Sequence, residues 1–132
     1  WMTCTCWPAT WTSRRERAAA VRDLMRGQET RLLQPLLGYL ADHPAVELIG
    51  KTDAERRAPT VAFTVRAQSS DALAGQLAAE GLGVGAGDFY AYRLIEALGL
   101  DNADGVVRAS FVHYTAPEEV DRLIGALDAL LP

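Results

Sequence analysis

The sequence is poor in cysteine, with only two among its 132 residues, Cys4 and Cys6 in the stretch TCTC. Two thiols so close together argue against a disulfide framework, and so low a content fits the reducing cytoplasm. A Cys-x-Cys pair without a second cysteine or histidine cluster is a weak metal signal. His43 and His113 are too distant in sequence to complete one. We therefore expect no metal site.

The chain also lacks the features of several other protein classes. No run of about 18 apolar residues is present, so no transmembrane helix is expected. The formal net charge is −4 without a basic stripe, which gives no support for nucleic-acid binding. Residues 1–12, WMTCTCWPATWT, show neither periodicity nor a signal-peptide pattern. We expect this segment to be irregular, disordered or extraneous, and residues 13–132 to form a single domain.

The first predicted element is a helix from Ser13 to about Asp42. Ser13 followed by Glu16 is a capping-box pattern. Pro35 should kink or split the helix, and His43–Pro44 should end it. Apolar residues recur at helical spacing between these limits, at Val21, Leu24, Met25, Leu32, Leu33, Leu36, Leu37 and Leu40.

Strands and helices then alternate along the chain. AVELIG and the alternating segment PTVAFTV predict two strands. SSDALAGQLAAEG predicts a serine-capped helix that ends at Gly81 and whose inner face is Leu73, Ala74, Leu77 and Ala78. LGVGAGD predicts a short extended segment.

The remaining third of the chain completes the pattern. FYAYRLIEALGL predicts a helix closed by Gly99, GVVRASFV a strand, and PEEVDRLIGALDALL a helix with Pro117 in its first turn. The order α-β-β-α-β-α-β-α predicts an α/β two-layer sandwich, in which helices pack on one face of a small mixed sheet.

Most of the polar and glycine-rich patterns carry weak functional signals. GVGAG at 83–87 lacks the spacing of a dinucleotide or phosphate loop, so we interpret it as glycines that permit tight turns. Tyr90 and Tyr92 flank a helix start and could stack on a ligand, although half-buried core tyrosines are commoner. The other polar positions are interpreted as turn, cap, strand or solvated helix residues; they are Asp88, Asp104, His113, Glu118, Glu119 and Asp121.

Arg108 is the strongest candidate site residue. It lies inside an apolar strand segment, and we expect an interior or ligand-facing position. A buried guanidinium is costly unless an anion meets it, and its planar fork matches a carboxylate with two hydrogen bonds. From the residues alone, a ligand and one of the chain's own acids are equally good partners.

Residues 14–131 resemble the C-terminal small domain of class V aminotransferases, nearest to their cysteine-desulfurase-like branch. The resemblance is carried by PTVAFTV, the helix after it, GLGVGAGDFYAYRLIEALGL and, most specifically, DGVVRASFVHYTAPEEVDRLIGAL. It implies a pyridoxal 5′-phosphate (PLP) enzyme of fold-type I, a dimer whose large domain holds the cofactor. It also implies that Arg108 grips the α-carboxylate of an amino-acid substrate.

Departures from the family pattern limit what this chain can do alone. The family's Schiff-base lysine belongs to the large domain, and Lys51, the only lysine, lies in a polar loop. The segment GVGAGDFYAYR lacks the nucleophilic cysteine of the desulfurase branch. Tyr114-Thr115-Ala116 stands where the family has Tyr-Asn-Thr.

Two functions are consistent with these observations. The chain is expected to be an isolated small domain of such an enzyme, without catalytic residues or bound cofactor of its own. The alternative is a free-standing binding module that keeps the carboxylate-binding surface without catalysis. The first helix carries a leucine-rich stripe that is wider than the area a small sheet can cover. An uncovered stripe of this kind predicts a homodimer held by residues 21–40. The members of the stripe are Leu32, Leu33, Leu36, Leu37, Tyr39 and Leu40.

Overall fold

The computed structural model describes residues 13–132, so the expectations for residues 1–12 and their two cysteines fall outside it. Within residues 13–132 there are four α-helices, four strands and one short 3₁₀ turn, Ala54–Arg56. No helix of this part of the chain is long and apolar enough to cross a membrane. The elements are α1 Arg14–Asp42, β1 Val46–Ile49, β2 Thr60–Val65, α2 Ser70–Ala79, β3 Gly85–Gly87, α3 Tyr92–Ala97, β4 Val106–Ser110 and α4 Pro117–Leu130.

The long helix α1 begins and ends where the sequence predicts. The Glu16 backbone N–H donates to Ser13 Oγ at 3.2 Å, and the Ser13 N–H donates to Glu16 Oε2 at 3.0 Å, which completes the capping box. The helix runs through Pro35 without a break, so the expected split does not occur. An internal proline costs roughly 3 kcal/mol. Five buried leucines, two before Pro35 and three after it, offset that cost by anchoring both halves of the helix to the core.

The sheet has the strand order β1-β2-β4-β3, and each neighbouring pair is antiparallel. The expectation of a mixed sheet is therefore wrong at the level of strand pairing. The topology shows why the expectation failed. Strands β2 and β3 run parallel and are joined by the crossover helix α2, but β4 lies between them. The two parallel strands consequently never pair with each other.

One face of the sheet carries the core. The strand residues that alternate onto this face join α1, α2 and α4 in the main cluster, whereas Arg108 and Ser110 on the opposite face of β4 are exposed. The buried apolar residues of the main cluster are Leu32, Leu33, Leu36, Leu37, Leu40, Ala54, Val61, Phe63, Val65, Leu73, Leu77, Val107, Ala109, Phe111, Val120, Leu123 and Leu127. The two-layer sandwich with helices packed on one face is thus confirmed.

The leucine-rich stripe of α1 belongs to this core. Its five leucines are at most 4% exposed, and Tyr39 packs partly buried against them. They cannot form a dimer interface, because α4, β1 and the 3₁₀ turn already cover them. The first half of α1 differs, since Val21 and Leu24 are 36% and 65% exposed.

The shorter elements follow the predicted pattern with small differences. In α2, Leu73 and Leu77 are fully buried as expected, but Ala78 is exposed. Gly81 and Gly99 end their helices with φ of +75° and +74°. Strand β4 ends at Ser110. Just beyond it, Phe111 is buried and Val112 is exposed.

Candidate functional site

Arg108 lies on the open face of the sheet. Neighbours in the antiparallel register are Ala62 on β2 and Gly85 on β3. Val107 and Ala109, on either side of it, point into the core, so alternation places the arginine opposite. The side chain is exposed, and the interior position expected from its apolar neighbours is wrong.

The guanidinium of Arg108 rests on an aromatic ring. Its Cζ lies 3.7 Å from the centroid of the Phe89 ring, which is a cation–π contact. Within residues 13–132 the guanidinium has no ion pair or hydrogen bond with another side chain. An exposed contact of this kind is worth about 0.5–1 kcal/mol. The N–H edges of the guanidinium therefore remain available to a ligand.

The loop that carries Phe89 has an unusual backbone. Phe89 and Tyr90 have φ of +50° and +62°, a region that residues other than glycine rarely adopt. Asp88 holds the turn: its Oδ1 accepts from the Tyr90 N–H at 3.0 Å, and its carbonyl accepts from the Ala91 N–H at 2.8 Å. The turn role predicted for Asp88 is confirmed, and this turn directs the Phe89 ring toward the sheet.

Two glycines allow this arrangement on strand β3. A Cβ on Gly85 would lie 2.9 Å from Phe89 Cζ, so the ring can reach this position only because residue 85 has no side chain. Gly105, which has φ of +65°, approaches Gly87 more closely still, and a Cβ there would overlap the Gly87 backbone. The interpretation of GVGAG as glycines that permit tight turns holds for Gly87, which has φ of +120°, whereas Gly85 makes room for the Phe89 ring.

The turn before β4 is anchored to helix α2. Asp104 accepts from the Ser70 N–H at 2.9 Å through Oδ1 and from the Ser70 hydroxyl at 3.2 Å through Oδ2. Ser70 is 2% exposed, so these bonds satisfy a buried polar residue. Asp104 therefore has the capping role predicted for it, and it fixes the start of the strand that bears Arg108.

The other candidate residues do not gather around Arg108. Tyr90 and Tyr92 are 103% and 56% exposed, which excludes a half-buried core role for either. His113 lies beyond β4 rather than in it, with Nδ1 3.9 Å from Glu29 Oε1, so its assignment to a strand is wrong. On α4, Glu118, Glu119 and Asp121 are exposed, as predicted for a solvated face.

A second concave surface was not predicted from the sequence. A cavity of about 730 Å³ lies between the first half of α1 and the residues before β2. Its apolar floor includes Val21, Met25 and Pro59, and its arginines are Arg14, Arg17, Arg22, Arg26 and Arg57. Burial lowers the pKa of Arg57 from its ordinary value. The helical spacing of the arginines in α1 was a signal in the sequence for a basic surface. No signal in the sequence indicated that Arg57, from another segment, would join them.

Lys51 and Arg108 lie at different parts of the sheet. Lys51 is exposed on the loop after β1, the edge strand separated from β4 by β2. Within residues 13–132 no group of three or more histidine, cysteine, aspartate or glutamate side chains could hold a metal ion. What the described part of the chain offers is the exposed guanidinium of Arg108, oriented by the Phe89 ring.

The geometry defines a small α/β domain with an arginine-bearing open face, and known proteins contain the same domain. The model of the family "Aminotransferase class-V" matches residues 18–123. Aminotransferase-like protein FGM3 of Gibberella zeae is 39% identical over 113 residues, which are 83% of this chain and 28% of that protein. The chain therefore belongs to the class V aminotransferase family.

Solved structures agree with this assignment. The apo cysteine desulfurase of Thermococcus onnurineus NA1 has a TM-score of 0.77 at 26% identity, over 89% of this chain and 28% of that chain. The cysteine desulfurase CsdA of Escherichia coli has a TM-score of 0.69 at 26% identity, over 81% of this chain and 26% of that chain. The present chain thus spans less than a third of the length of these relatives.

Proposed function

We propose that this chain is the small-domain part of a PLP-dependent, aminotransferase- or cysteine-desulfurase-like protein, and that Arg108 binds the α-carboxylate of an amino-acid substrate. The observation that carries the proposal is the contact of Arg108 with Phe89, which orients an exposed guanidinium. A guanidinium in this state can offer two parallel N–H donors to one carboxylate.

The chain alone is proposed to lack catalytic activity. Covalent PLP chemistry needs a lysine that the protein activates beside the bound cofactor. Lys51 is the single lysine of the chain and lies on an exposed loop. After incubation with PLP, borohydride reduction and peptide mapping should therefore give no stoichiometric, site-specific label. Complete labelling of Lys51 at one equivalent of PLP would contradict this part of the proposal.

Carboxylate binding can be measured on the isolated chain. In an NMR titration of the arginine Nε–Hε resonances at low salt, L-alanine should shift the Arg108 signal and L-alaninamide, which lacks the carboxylate, should not. Low salt matters because exposed ion pairs are screened. Arg66 is an exposed internal control, and Arg108→Gln assigns the signal. Equal responses of Arg66 and Arg108 would show nonspecific pairing and refute the role of Arg108.

One observation favours the alternative of a free-standing binding module. The core is complete within residues 13–132, since the leucines of α1 are buried by the chain's own helices and sheet. A domain that needs no partner to bury its core can fold and bind alone. The two functions differ in one measurement: a binding module should bind an amino-acid carboxylate without any added large domain, whereas the small-domain role predicts only weak binding until such a domain is present.

A further inference from the structure

We propose that Phe89 is a positioning residue for Arg108. Its ring holds the guanidinium flat over the open face of the sheet and leaves the N–H edges free for the two oxygens of a carboxylate. The inference rests on the proposed carboxylate-binding role of Arg108 and adds the residue that sets the geometry of that site. The contact joins two residues from different segments, the loop after β3 and the centre of β4.

Stacking is compatible with ligand binding because of where the donors lie. All five N–H groups of a guanidinium point outward in its plane, so a ring that stacks on its face occupies no donor. The 3.7 Å between Arg108 Cζ and the Phe89 ring centroid is a stacking distance. The covered face is shielded from water. The stack also restricts the conformers of the arginine side chain before the ligand arrives, so less conformational entropy is lost on binding. A carboxylate then meets a guanidinium that is already oriented.

The position of the ring is itself fixed from two sides. Beneath it, Gly85 is paired in register with Arg108, and any Cβ there would lie 2.9 Å from Phe89 Cζ. Behind it, the turn at Asp88 holds Phe89 in the left-handed region at φ +50°. The absence of a side chain at residue 85 and the turn at Asp88 therefore act together to bring the ring over the strand pair.

NMR of the full chain tests both the stack and its consequence. Ring currents should displace the Arg108 side-chain resonances upfield in the wild type, and Phe89→Leu should remove this displacement. Phe89→Leu should also weaken the binding of L-alanine at Arg108 by about two- to tenfold, because ordering the freed arginine on binding costs about 0.5–1.5 kcal/mol, converted at 1.4 kcal/mol per tenfold. Phe89→Tyr keeps an aromatic ring and should retain both the upfield displacement and the wild-type affinity for L-alanine. A purely structural role of the side chain would not make these two properties depend on the ring.

A second variant approaches the stack from the other side. Gly85→Ala leaves Phe89 in place but pushes its ring away, and it should also weaken L-alanine binding and reduce the ring-current shift. Thermal unfolding followed by circular dichroism verifies that each variant is folded. Gly85→Ala remains a test of the stack if Phe89→Leu fails to fold.

The outcomes separate this inference from the role of Arg108 itself. If L-alanine shifts Arg108 with equal affinity in wild type, Phe89→Leu and Gly85→Ala, Arg108 binds carboxylate but Phe89 does not position it. If the wild type shows no upfield displacement, the stack does not exist and the inference is wrong. If the displacement is present but the wild type does not bind L-alanine, the carboxylate-binding role fails, and with it the positioning role.

Discussion

Gly105→Ala should destabilise the domain by about 3 kcal/mol, because the added methyl group meets backbone rather than a movable side chain. A Cβ at residue 105 would lie 2.6 Å from the Gly87 Cα and still nearer to the Gly87 carbonyl. Gly105 precedes β4 and Gly87 ends β3, so the substitution drives apart the two strands that carry Arg108 and support Phe89.

Two contributions make up this magnitude. Gly105 has φ of +65°, and an alanine in the left-handed region costs roughly 1–2 kcal/mol. The steric overlap forces β3 away and weakens the Gly87 pairings with Gly105 and Val106. Each backbone hydrogen bond contributes about 1 kcal/mol net, so the loss of one or two brings the total to about 3 kcal/mol.

Gly99→Ala is the matched control for this substitution. Gly99 has φ of +74°, close to that of Gly105, but a Cβ there would meet nothing within 4 Å. The free energies of unfolding of both variants can be measured by urea denaturation. Gly105→Ala should be less stable than Gly99→Ala by about 1–2 kcal/mol, the part due to the overlap. A difference below roughly 0.5 kcal/mol would refute the tight β3–β4 approach.

Other substitutions test the core, the helix surface and the arginine. The Tyr39 hydroxyl is buried without a hydrogen-bond partner among residues 13–132, so Tyr39→Phe should leave unfolding stability unchanged or raise it by about 1 kcal/mol. Burial, then Asp128, raises the pKa of Tyr39, so the unfolded chain ionises at lower pH than the folded chain. The free energy of unfolding is therefore unaffected by this titration below about pH 10 and falls as pH rises from there through the raised folded-state pKa. Tyr39→Phe should remove this loss in thermal unfolding at alkaline pH, and an identical pH profile in both proteins would contradict it. The predicted homodimer should use the exposed first half of α1, so light scattering across a dilution series should show Leu24→Glu more dissociated than wild type, and a wild type that is monomeric at high micromolar concentration would refute the dimer. Arg108→Leu should lower the free energy of unfolding by no more than about 1 kcal/mol, since it removes an exposed cation–π contact; a loss of about 3 kcal/mol in urea denaturation would indicate an internal network instead.

The element order could be predicted from the sequence because its signals are local. The Ser13 capping box, the glycine ends of α2 and α3 and the alternation of β2 each depend on residues a few positions apart. Pro35 does not split α1, because helix propensity is a local cost, whereas the leucines that hold both halves of α1 act through tertiary packing. The width of the leucine stripe misled for a related reason, since its cover comes from distant elements.

Strand pairing could not be predicted from the same signals. A crossover helix between β2 and β3 favours parallel strands, and these two strands are indeed parallel. Whether they are neighbours depends on where β4 inserts, which the pattern of a single strand does not encode. The exposure of Arg108, by contrast, was predictable: Val107 and Ala109 alternate with Arg108 and Ser110 at a period of two. Reading the segment as uniformly apolar hid that alternation.

The exposure of Arg108 changes which observation supports a binding role. An exposed guanidinium is well solvated, so its lack of an acidic partner costs little and is weak evidence for a missing ligand. The stronger evidence is the adjacent loop, where Phe89 and Tyr90 both adopt positive φ at about 1–2 kcal/mol each. Tyr90 is 103% exposed and recovers none of that cost by packing, and the Phe89 ring contacts the arginine rather than the main core. Backbone strain that the core does not explain is typical of functional sites, and here it fixes the ring on which the guanidinium lies.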